Sequence, residues 1–194
     1  MNILHVVSSS GFYGKEQVIL SLVKRQQQTP RSLLLVIGDP ALHERAVRLG
    51  ARSVHLTRTR ELVPAIRREA VEARERGERV ILHTHDYKSG ILVTGASGLR
   101  RWPWPQVRTL HGFTSANKPL LSKLRAYEVL DRALLARVDH VVGVSPAMRG
   151  AAPVDSVIVN GIETPDQGPS TLHGSPGENA PSAGTPLRGG ARHV

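Results

Sequence analysis

Short apolar segments alternate with longer amphipathic segments over most of the chain. Continuous apolar segments are typical of strands buried on both faces of a sheet, whereas apolar residues three or four positions apart are typical of helices. The predicted strands span residues 3–7, 33–37, 53–56, 80–83, 107–110, 140–144 and 156–159. The predicted helices lie near residues 15–28, 40–49, 59–77, 88–99, 118–137 and 145–151. This alternation predicts an α/β fold: a doubly wound, mostly parallel, Rossmann-like sheet of about 6–7 strands with helices on both faces.

The positions of glycine and proline agree with the predicted ends of the helices. Gly50 and Gly77 stand where helix C-termini need a residue in the left-handed conformation. Asp39-Pro40 and Ser145-Pro146 read as an N-cap followed by a proline in the first helical turn, where no N–H is needed. The predicted helices should therefore begin and end at these positions.

The composition changes after residue 163. Residues 164–194 are rich in proline, glycine and serine, and Leu172 and Leu187 are nearly their only large apolar side chains. Such a segment cannot bury enough apolar surface to offset the entropy lost on ordering. We therefore expect one folded domain over residues 1–163 and a disordered tail over residues 164–194, with no second domain.

The net charge of the 194 residues is +10, which favours anionic partners such as phosphates, anionic lipid head groups or nucleic acid. Many arginines lie between Arg58 and Arg79, where interspersed glutamates at helical spacing indicate a solvated helix face. The sequence has no basic-aromatic platform or recognition motif, so we expect no nucleic acid as a partner.

The absence of cysteine excludes disulfides and thiolate metal sites. The N-terminus lacks the pattern of a signal peptide, and no apolar run approaches the ~18–20 residues that span a bilayer. We expect a cytoplasmic protein, with peripheral association at the inner face of the cell membrane as the alternative.

The loop after the first predicted strand, residues 8–16, is rich in serine and glycine. In a doubly wound sheet, ligands bind beyond the carboxyl ends of the strands. Gly11 and Gly14 would let backbone N–H groups approach an anion at the N-terminus of the next helix, and Lys15 and Glu16 follow directly. The spacing matches neither a dinucleotide fingerprint nor a P-loop, so a plain strand-to-helix turn is the alternative.

His83 and His85 form a His-x-His pair at the end of the fourth predicted strand. Such a pair can bind a metal ion, and its third ligand would have to come from Asp86 or His111. No acidic cluster accompanies the pair, so the pattern favours a hydrogen-bonded histidine that faces the substrate. We therefore expect no metal site.

A further histidine, His111, stands at the tip of the fifth predicted strand and is followed by Gly112. An imidazole there can donate to a phosphate or a sugar hydroxyl, or act as an acid or base near neutral pH. A structural histidine is the alternative. Ser145, after the sixth predicted strand, either contacts a ligand or caps the next helix.

Together these segments resemble the N-terminal domain of family-4 glycosyltransferases, retaining enzymes with two facing Rossmann-like domains (the GT-B fold). The resemblance runs in order from residue 1 to about residue 163. Only half of the family's Gly-Gly turn is matched, and Lys15 stands where a small residue is expected. The motifs are Gly11-Phe12-Tyr13-Gly14-Lys15-Glu16, His85, Thr109-Leu110-His111-Gly112, Val142-Gly143-Val144-Ser145 and, at the interdomain crossover, Val159-Asn160-Gly161-Ile162.

The resemblance implies the acceptor-binding half of an enzyme that transfers a sugar from a nucleotide sugar to a glycan, lipid or small-molecule acceptor. His111 would be the catalytic residue, because it would contact the transferred sugar or position the acceptor. The resemblance implies no metal or other cofactor, and the nucleotide sugar would be a co-substrate held by the second domain. The substrate-binding residues would be Gly11, Gly14, Lys15, Glu16, His85, Gly112, Ser145 and Asn160.

Because the sequence shows no donor-binding domain, we expect a truncated or split form that is inactive alone. In a split form, a partner chain would carry the missing domain. The alternative is a basic peripheral-membrane or anion-binding module without catalysis. Its surface would be the predicted helix 118–137, which has leucines on one side and lysines and arginines elsewhere. Core packing is the more ordinary role of such a stripe.

Overall fold

The computed structural model of the chain describes residues 1–26, 31–98, 101–112 and 123–159. Asn160 and the tail expected over residues 164–194 lie outside the described residues. The boundary at residue 163 and the disorder of the tail therefore stay predictions.

The strands of the described residues form one parallel sheet. They are β1 (Asn2–Ser9), β2 (Arg31–Gly38), β3 (Ser53–Leu56), β4 (Val80–Thr84), β5 (Gln106–Leu110), β6 (His140–Gly143) and β7 (Ser156–Val157). Their order across the sheet is β3-β2-β1-β4-β5-β6-β7. All the predicted strands are found, and the α/β fold with a Rossmann-like parallel sheet is confirmed.

The helices connect successive strands. Those of the described residues are α1 (Gly14–Arg25), α2 (Ala41–Arg48), α3 (Leu62–Glu75), α4 (Tyr87–Ala96) and α5 (Lys123–Leu135). The predicted helix 59–77 begins as a 3-10 helix over Thr59–Glu61, and the predicted helix 145–151 is a 3-10 helix over Pro146–Gly150. Segments this short favour the tighter i→i+3 hydrogen bonds. None of the helices in the described ranges is long and apolar enough to cross a bilayer.

Most residues at the element ends act as predicted, but the N-cap of α2 is Pro40 rather than Asp39. Gly50 and Gly77 have φ angles of +76° and +69°, in the left-handed region that glycine adopts without strain. Asp39 Oδ1 accepts a hydrogen bond from Ala41 N at 2.8 Å, at the start of α2. Ser145 Oγ accepts one from Ala147 N at 3.4 Å, so Ser145 caps the 3-10 helix after β6.

Two apolar cores cover the two faces of the sheet. On one face, Leu4 of β1 is buried in the core that contains Ile66 of α3. On the other face, Val7 is buried in the core that contains Ile19 and Val23 of α1. Alternate residues of a strand point to opposite faces, so the continuous burial of β1 follows directly from this two-sided covering.

The order of the strands reverses beside β1. The chain adds β2 and β3 on one side of β1 and then returns to add β4 to β7 on the other side. The loops after β1 and β4 therefore lead away from each other and leave a crevice beyond their carboxyl ends. His5 and His83 are direct neighbours in the register of these two strands.

Candidate functional site

A cavity of about 290 Å³ lies beyond the carboxyl ends of β1, β4 and β5. This is the place where the topology predicts a ligand site. Its walls come from the loops after these strands, from the end of β5 and from α5. They are formed by Ser10, Tyr13, Lys15, Glu16, His85, Asp86, Tyr87, Arg108, Thr109, Leu110, His111, Gly112, Glu128, Asp131, Arg132 and Leu135.

Five of the predicted site residues line this cavity: Lys15, Glu16, His85, His111 and Gly112. Three separate loops of the sequence therefore converge on one place, as the rule for doubly wound sheets requires. Whether these residues bind a substrate stays a prediction.

The other predicted site residues lie elsewhere. Gly11 lies in the turn after β1 with a φ of +153°, and Gly14 is the first residue of α1. Ser145 caps the 3-10 helix after β6. None of the three is among the described residues that line the cavity. Asn160 lies outside the described residues.

The ammonium group of Lys15 points into the site. Its Nζ donates a hydrogen bond to Ser8 O at 2.9 Å and lies 3.2 Å from Glu16 Oε1 and 3.9 Å from Asp86 Oδ2. Lys15 therefore ties the loop after β1 to the start of α4. Because two carboxylates already face its charge, it attracts a further anion less than an isolated lysine would.

Two carboxylates hold the backbone around the cavity. Glu16 Oε2 accepts a hydrogen bond from Tyr13 N at 3.1 Å. Asp86 caps α4, where its Oδ1 accepts from Ser89 N at 2.9 Å, and its Oδ2 accepts from Ser8 N at 2.7 Å. The ends of β1 and β4 are thus joined through one side chain, which preorganises the cavity.

A buried ion pair forms the floor on the side of α5. Both Asp131 carboxylate oxygens lie 2.8 Å from Arg108 Nη2, and Arg108 Nη1 donates to Asp86 O. Arg108 is 1% exposed. Burial raises the pKa of Asp131, and the charge of Arg108 acts in the opposite direction. The pair connects β5, α4 and α5 beneath the ligand space.

His111 is half-buried, and both of its ring nitrogens are shielded from solvent without a polar partner among the described residues. Neither Nδ1 nor Nε2 has a hydrogen-bond partner among the residues that the structure describes. Burial, followed by the charge of Lys15, lowers the pKa of His111 to about 4. The imidazole is therefore neutral near pH 7, and it can donate one hydrogen bond and accept another. Its low basicity makes hydrogen bonding, rather than proton storage, the chemistry that it offers.

Three further imidazoles meet beneath His111. His5 Nδ1 lies 2.9 Å from His85 Nε2, and the rings of His83 and His85 are 4.1 Å apart. His5, His83 and His85 each bring one ring nitrogen within 4.8 Å of the others. His5 was not among the site residues predicted from the sequence. It lies inside an otherwise apolar strand, and a histidine inside a buried strand needs a polar partner, so this position could have marked it as a candidate.

The net charge of the cavity wall is opposite in sign to the net charge of the whole chain. Its carboxylates are Glu16, Asp86, Glu128 and Asp131, whereas its cations are Lys15, Arg108 and Arg132. The cavity is thus slightly acidic although the chain carries a net charge of +10. Such a wall suits neutral hydroxyl groups better than it suits a diphosphate.

Arg108 and Asp131 are the main site residues that the sequence analysis missed. Arg108 interrupts the apolar predicted strand 107–110, and Asp131 lies among the leucines of the predicted helix 118–137. Each is a charge at a position that the apolar pattern predicts to be buried. Buried charges require partners, so two such charges could have been paired.

The parallel, doubly wound sheet, with a cavity lined by several charged side chains at its switch point, defines a domain of the Rossmann type. The family model of Glycosyltransferase Family 4 matches residues 14–164, which is most of the chain. The chain therefore belongs to Glycosyltransferase Family 4, and the resemblance seen in the sequence is confirmed.

Solved structures of the Anabaena protein HepE share the fold. In complex with UDP, HepE superposes with a TM-score of 0.63 at 20% identity, over 84% of this chain and 44% of HepE. The complex with UDP-glucose gives a TM-score of 0.62 with the same identity and coverage. This chain thus spans less than half the length of HepE. No curated protein matches the chain in sequence.

Proposed function

We propose that this chain supplies the acceptor-binding half of an enzyme that transfers a sugar from a nucleotide sugar to an acceptor hydroxyl. The observation that carries the proposal is the slightly acidic cavity around His111. Carboxylates and a neutral imidazole are good acceptors of hydrogen bonds from hydroxyl groups. At about 290 Å³, the cavity is of a size that a sugar ring can occupy.

The donor is proposed to be a nucleotide sugar, because the chain belongs to Glycosyltransferase Family 4 and the fold is shared with HepE structures that hold UDP or UDP-glucose. The carboxylates in the cavity disfavour a diphosphate there. We therefore assign the donor phosphates to a second domain, supplied by a longer form of the protein or by a partner chain, with the backbone around Gly11 and Gly14 as the nearest contact from this domain. No metal or other cofactor is assigned to the transfer.

His111 is assigned as the residue that contacts the reacting groups. As a neutral imidazole it would donate its N–H to a sugar oxygen and accept a hydrogen bond from the acceptor hydroxyl. Lys15, Glu16, His85 and Gly112 would contact the acceptor from the surrounding walls. Ser145 and Asn160 are retained as contacts of the interdomain side, by the family resemblance alone.

We further propose that this chain does not transfer sugar by itself. Transfer requires the donor, the acceptor and the stabilisation of the leaving group in one enclosed site. Loss of a single electrostatic contact to the transition state typically costs about 3–4 kcal/mol, so the described domain should show no turnover when no donor side is present. A longer form of the protein, or a partner chain, would supply that side.

Binding by the purified chain tests the proposal. Saturation-transfer NMR with separate panels of free glycosides and nucleotide sugars would show which class contacts the protein. We expect glycosides to bind, and His111→Ala to weaken them at least about tenfold, because the central hydrogen bonds are lost. The matched control is His140→Ala, since His140 is half exposed and contacts Ser156 and Asp155, away from the cavity.

Two outcomes would contradict this assignment. If nucleotide diphosphates bind and His111→Ala removes them while glycosides do not bind, the cavity is the donor side. If the chain alone releases nucleotide from a nucleotide sugar, and His111→Ala abolishes that release, the described domain contains a complete site.

A second candidate function is docking on an anionic membrane surface. On α5, Tyr127, Val129 and Leu130 are 48%, 64% and 46% exposed, whereas Leu135 is buried at 3%. Part of the predicted leucine stripe is therefore core, and part is available to a lipid surface. Sedimentation with phosphatidylglycerol vesicles should fall for Val129→Glu but not for Val71→Glu, which changes an equally apolar residue of α3 that is 56% exposed. Equal sedimentation of both variants would exclude docking through α5.

A further inference from the structure

We propose that His5, His83 and His85 form a binding site for a divalent transition-metal ion of the zinc type. The site joins β1 to β4 and has a structural role, and it shares His85 with the wall of the acceptor cavity proposed above. The sequence pattern predicted no metal site, and Asp86 or His111 was the candidate third ligand. The tertiary structure brings in a different third residue, His5, from the neighbouring strand.

The strand register creates the convergence. His5 of β1 lies directly opposite His83 of β4. His85 follows His83 by two residues, and residues two apart on an extended chain share a face. One nitrogen from each ring therefore lies within 4.8 Å of the other two. Ligands of a tetrahedral zinc ion lie about 3.4 Å apart, so small side-chain rotations complete the geometry.

The outer hydrogen bonds leave one ring nitrogen of His5 and one of His83 with a free lone pair. His5 Nε2 lies 2.7 Å from Gln26 Oε1, which can only accept, so Nε2 carries the proton and Nδ1 presents its lone pair. His83 Nε2 lies 2.8 Å from Thr109 Oγ1, which can accept its proton and leave Nδ1 for a metal. Metal-binding histidines usually donate their second N–H to such a partner.

His85 is buried with one ring nitrogen that has no hydrogen-bond partner among the described residues. Its side chain is 1% exposed, and the unpartnered nitrogen is Nδ1. Its Nε2 donates a hydrogen bond to His5 Nδ1 at 2.9 Å, so an ion bound between these two nitrogens would take the place of that proton, which would move to the unpartnered Nδ1 of His85. Because His85 also lines the cavity, an ion and a fourth, water ligand have a route to the site.

The ligand chemistry selects the class of metal. Three imidazoles without a carboxylate suit zinc, cobalt, nickel or copper, whereas magnesium, calcium and manganese prefer oxygen ligands. The ligands must also be neutral. Burial lowers the pKa of all three histidines, so they are neutral near pH 7.

Titration of the purified chain without an affinity tag, with Co²⁺ and then Zn²⁺ near pH 7.5, tests the site. We expect one Co²⁺ per chain, with the strong visible absorption of a four-coordinate ion, and displacement of Co²⁺ by Zn²⁺. His5→Gln, His83→Gln and His85→Gln should each weaken binding at least tenfold. His43→Gln is the matched control, because it changes one member of a separate histidine pair, His43 and His55, whose rings are 6.0 Å apart.

Two readouts keep the test decisive if a ligand variant fails to fold. Gln26→Leu leaves all three ligands in place and should weaken binding by about 10- to 100-fold, and Gln26→Glu should restore it. In the unaltered chain, Zn²⁺ should shift the imidazole ¹⁵N resonances of three histidines. Absence of these shifts at equimolar Zn²⁺, or binding that is lost in His43→Gln and kept in the three ligand variants, would overturn the proposal.

Discussion

Two polar groups are buried beside β5, and they compensate for the loss of water in different ways. On one face, Arg108 and Asp131 stay together as an ion pair at 2.8 Å. On the other face, to which Thr109 points, His5, His83 and His85 are held neutral, because burial lowers their pKa values. Arg108 and Thr109 are consecutive, so one strand carries both arrangements.

The two groups therefore respond to different changes. The ion pair destabilises the fold when one charge loses its partner, whereas the neutral cluster destabilises the fold when it must take up a proton. The first depends on a particular side chain, and the second depends on pH.

Loss of the Arg108 charge should have the largest effect on the free energy of unfolding. Arg108→Met keeps the length of the side chain but leaves the buried Asp131 without its partner. We expect the free energy of unfolding at pH 7 to fall by about 3–5 kcal/mol, as measured by urea denaturation. Arg31→Met is the control, because Arg31 is exposed and its pair with Glu78, at 3.5 Å, should contribute about 0–1 kcal/mol. Equal losses in the two variants would show that the buried pair has no special role.

Acid should weaken the neutral cluster. The pKa of His5 is lowered from 6.5 to about 4 in the folded state, so the unfolded chain takes up the proton first as the pH falls. The stability due to neutral His5 is complete above pH 6.5 and declines down to about pH 4. From pH 7 to pH 5 this one group should remove about 2 kcal/mol, measured by urea denaturation at both values. Arg31→Met, at an exposed position, should keep this slope, and a stability that does not change between the two pH values would contradict the account.

Crowding of the ion pair should have a smaller effect. A Cβ atom at Gly90 of α4 would overlap the guanidinium group of Arg108. Gly90→Ala should therefore lower the melting temperature, at a cost of about 1–3 kcal/mol. Gly95→Ala, on the same helix with nothing within 4 Å of its Cβ, should be neutral or stabilising by about 0.5–1 kcal/mol. If both substitutions stabilise the protein, Arg108 can move without loss.

Removal of one outer hydrogen bond should have the smallest effect. Thr109→Val keeps the shape of the side chain but removes the hydroxyl that lies 2.8 Å from His83 Nε2. We expect a loss of about 1 kcal/mol in unfolding free energy at pH 7, typical of a single neutral hydrogen bond. A loss as large as that of Arg108→Met would mean that the neutral cluster depends on a single partner, as the ion pair does.

Much of the fold follows from local patterns. The apolar segments predicted every strand, and Gly50 and Gly77 stand at helix ends as expected, whereas the N-cap of α2 is Pro40 rather than the predicted Asp39. The helical segments at 59–77 and 145–151 were predicted without their 3-10 character, because the apolar period does not distinguish a tight turn from the first turn of an α-helix. The cavity was predicted at the carboxyl edge from topology alone, and Lys15, Glu16, His85 and His111 meet there.

The sequence by itself determined the class of fold, the edge of the sheet that carries the cavity and the family to which the chain belongs, because these depend on periodicity and on the order of short motifs. The tertiary structure alone decided which distant side chains meet. Arg108 contacts Asp131, which is 23 residues away in the sequence, and His5 contacts His85, which is 80 residues away. Such pairings depend on strand register and helix placement, which are set by the packing of the whole core rather than by any local segment.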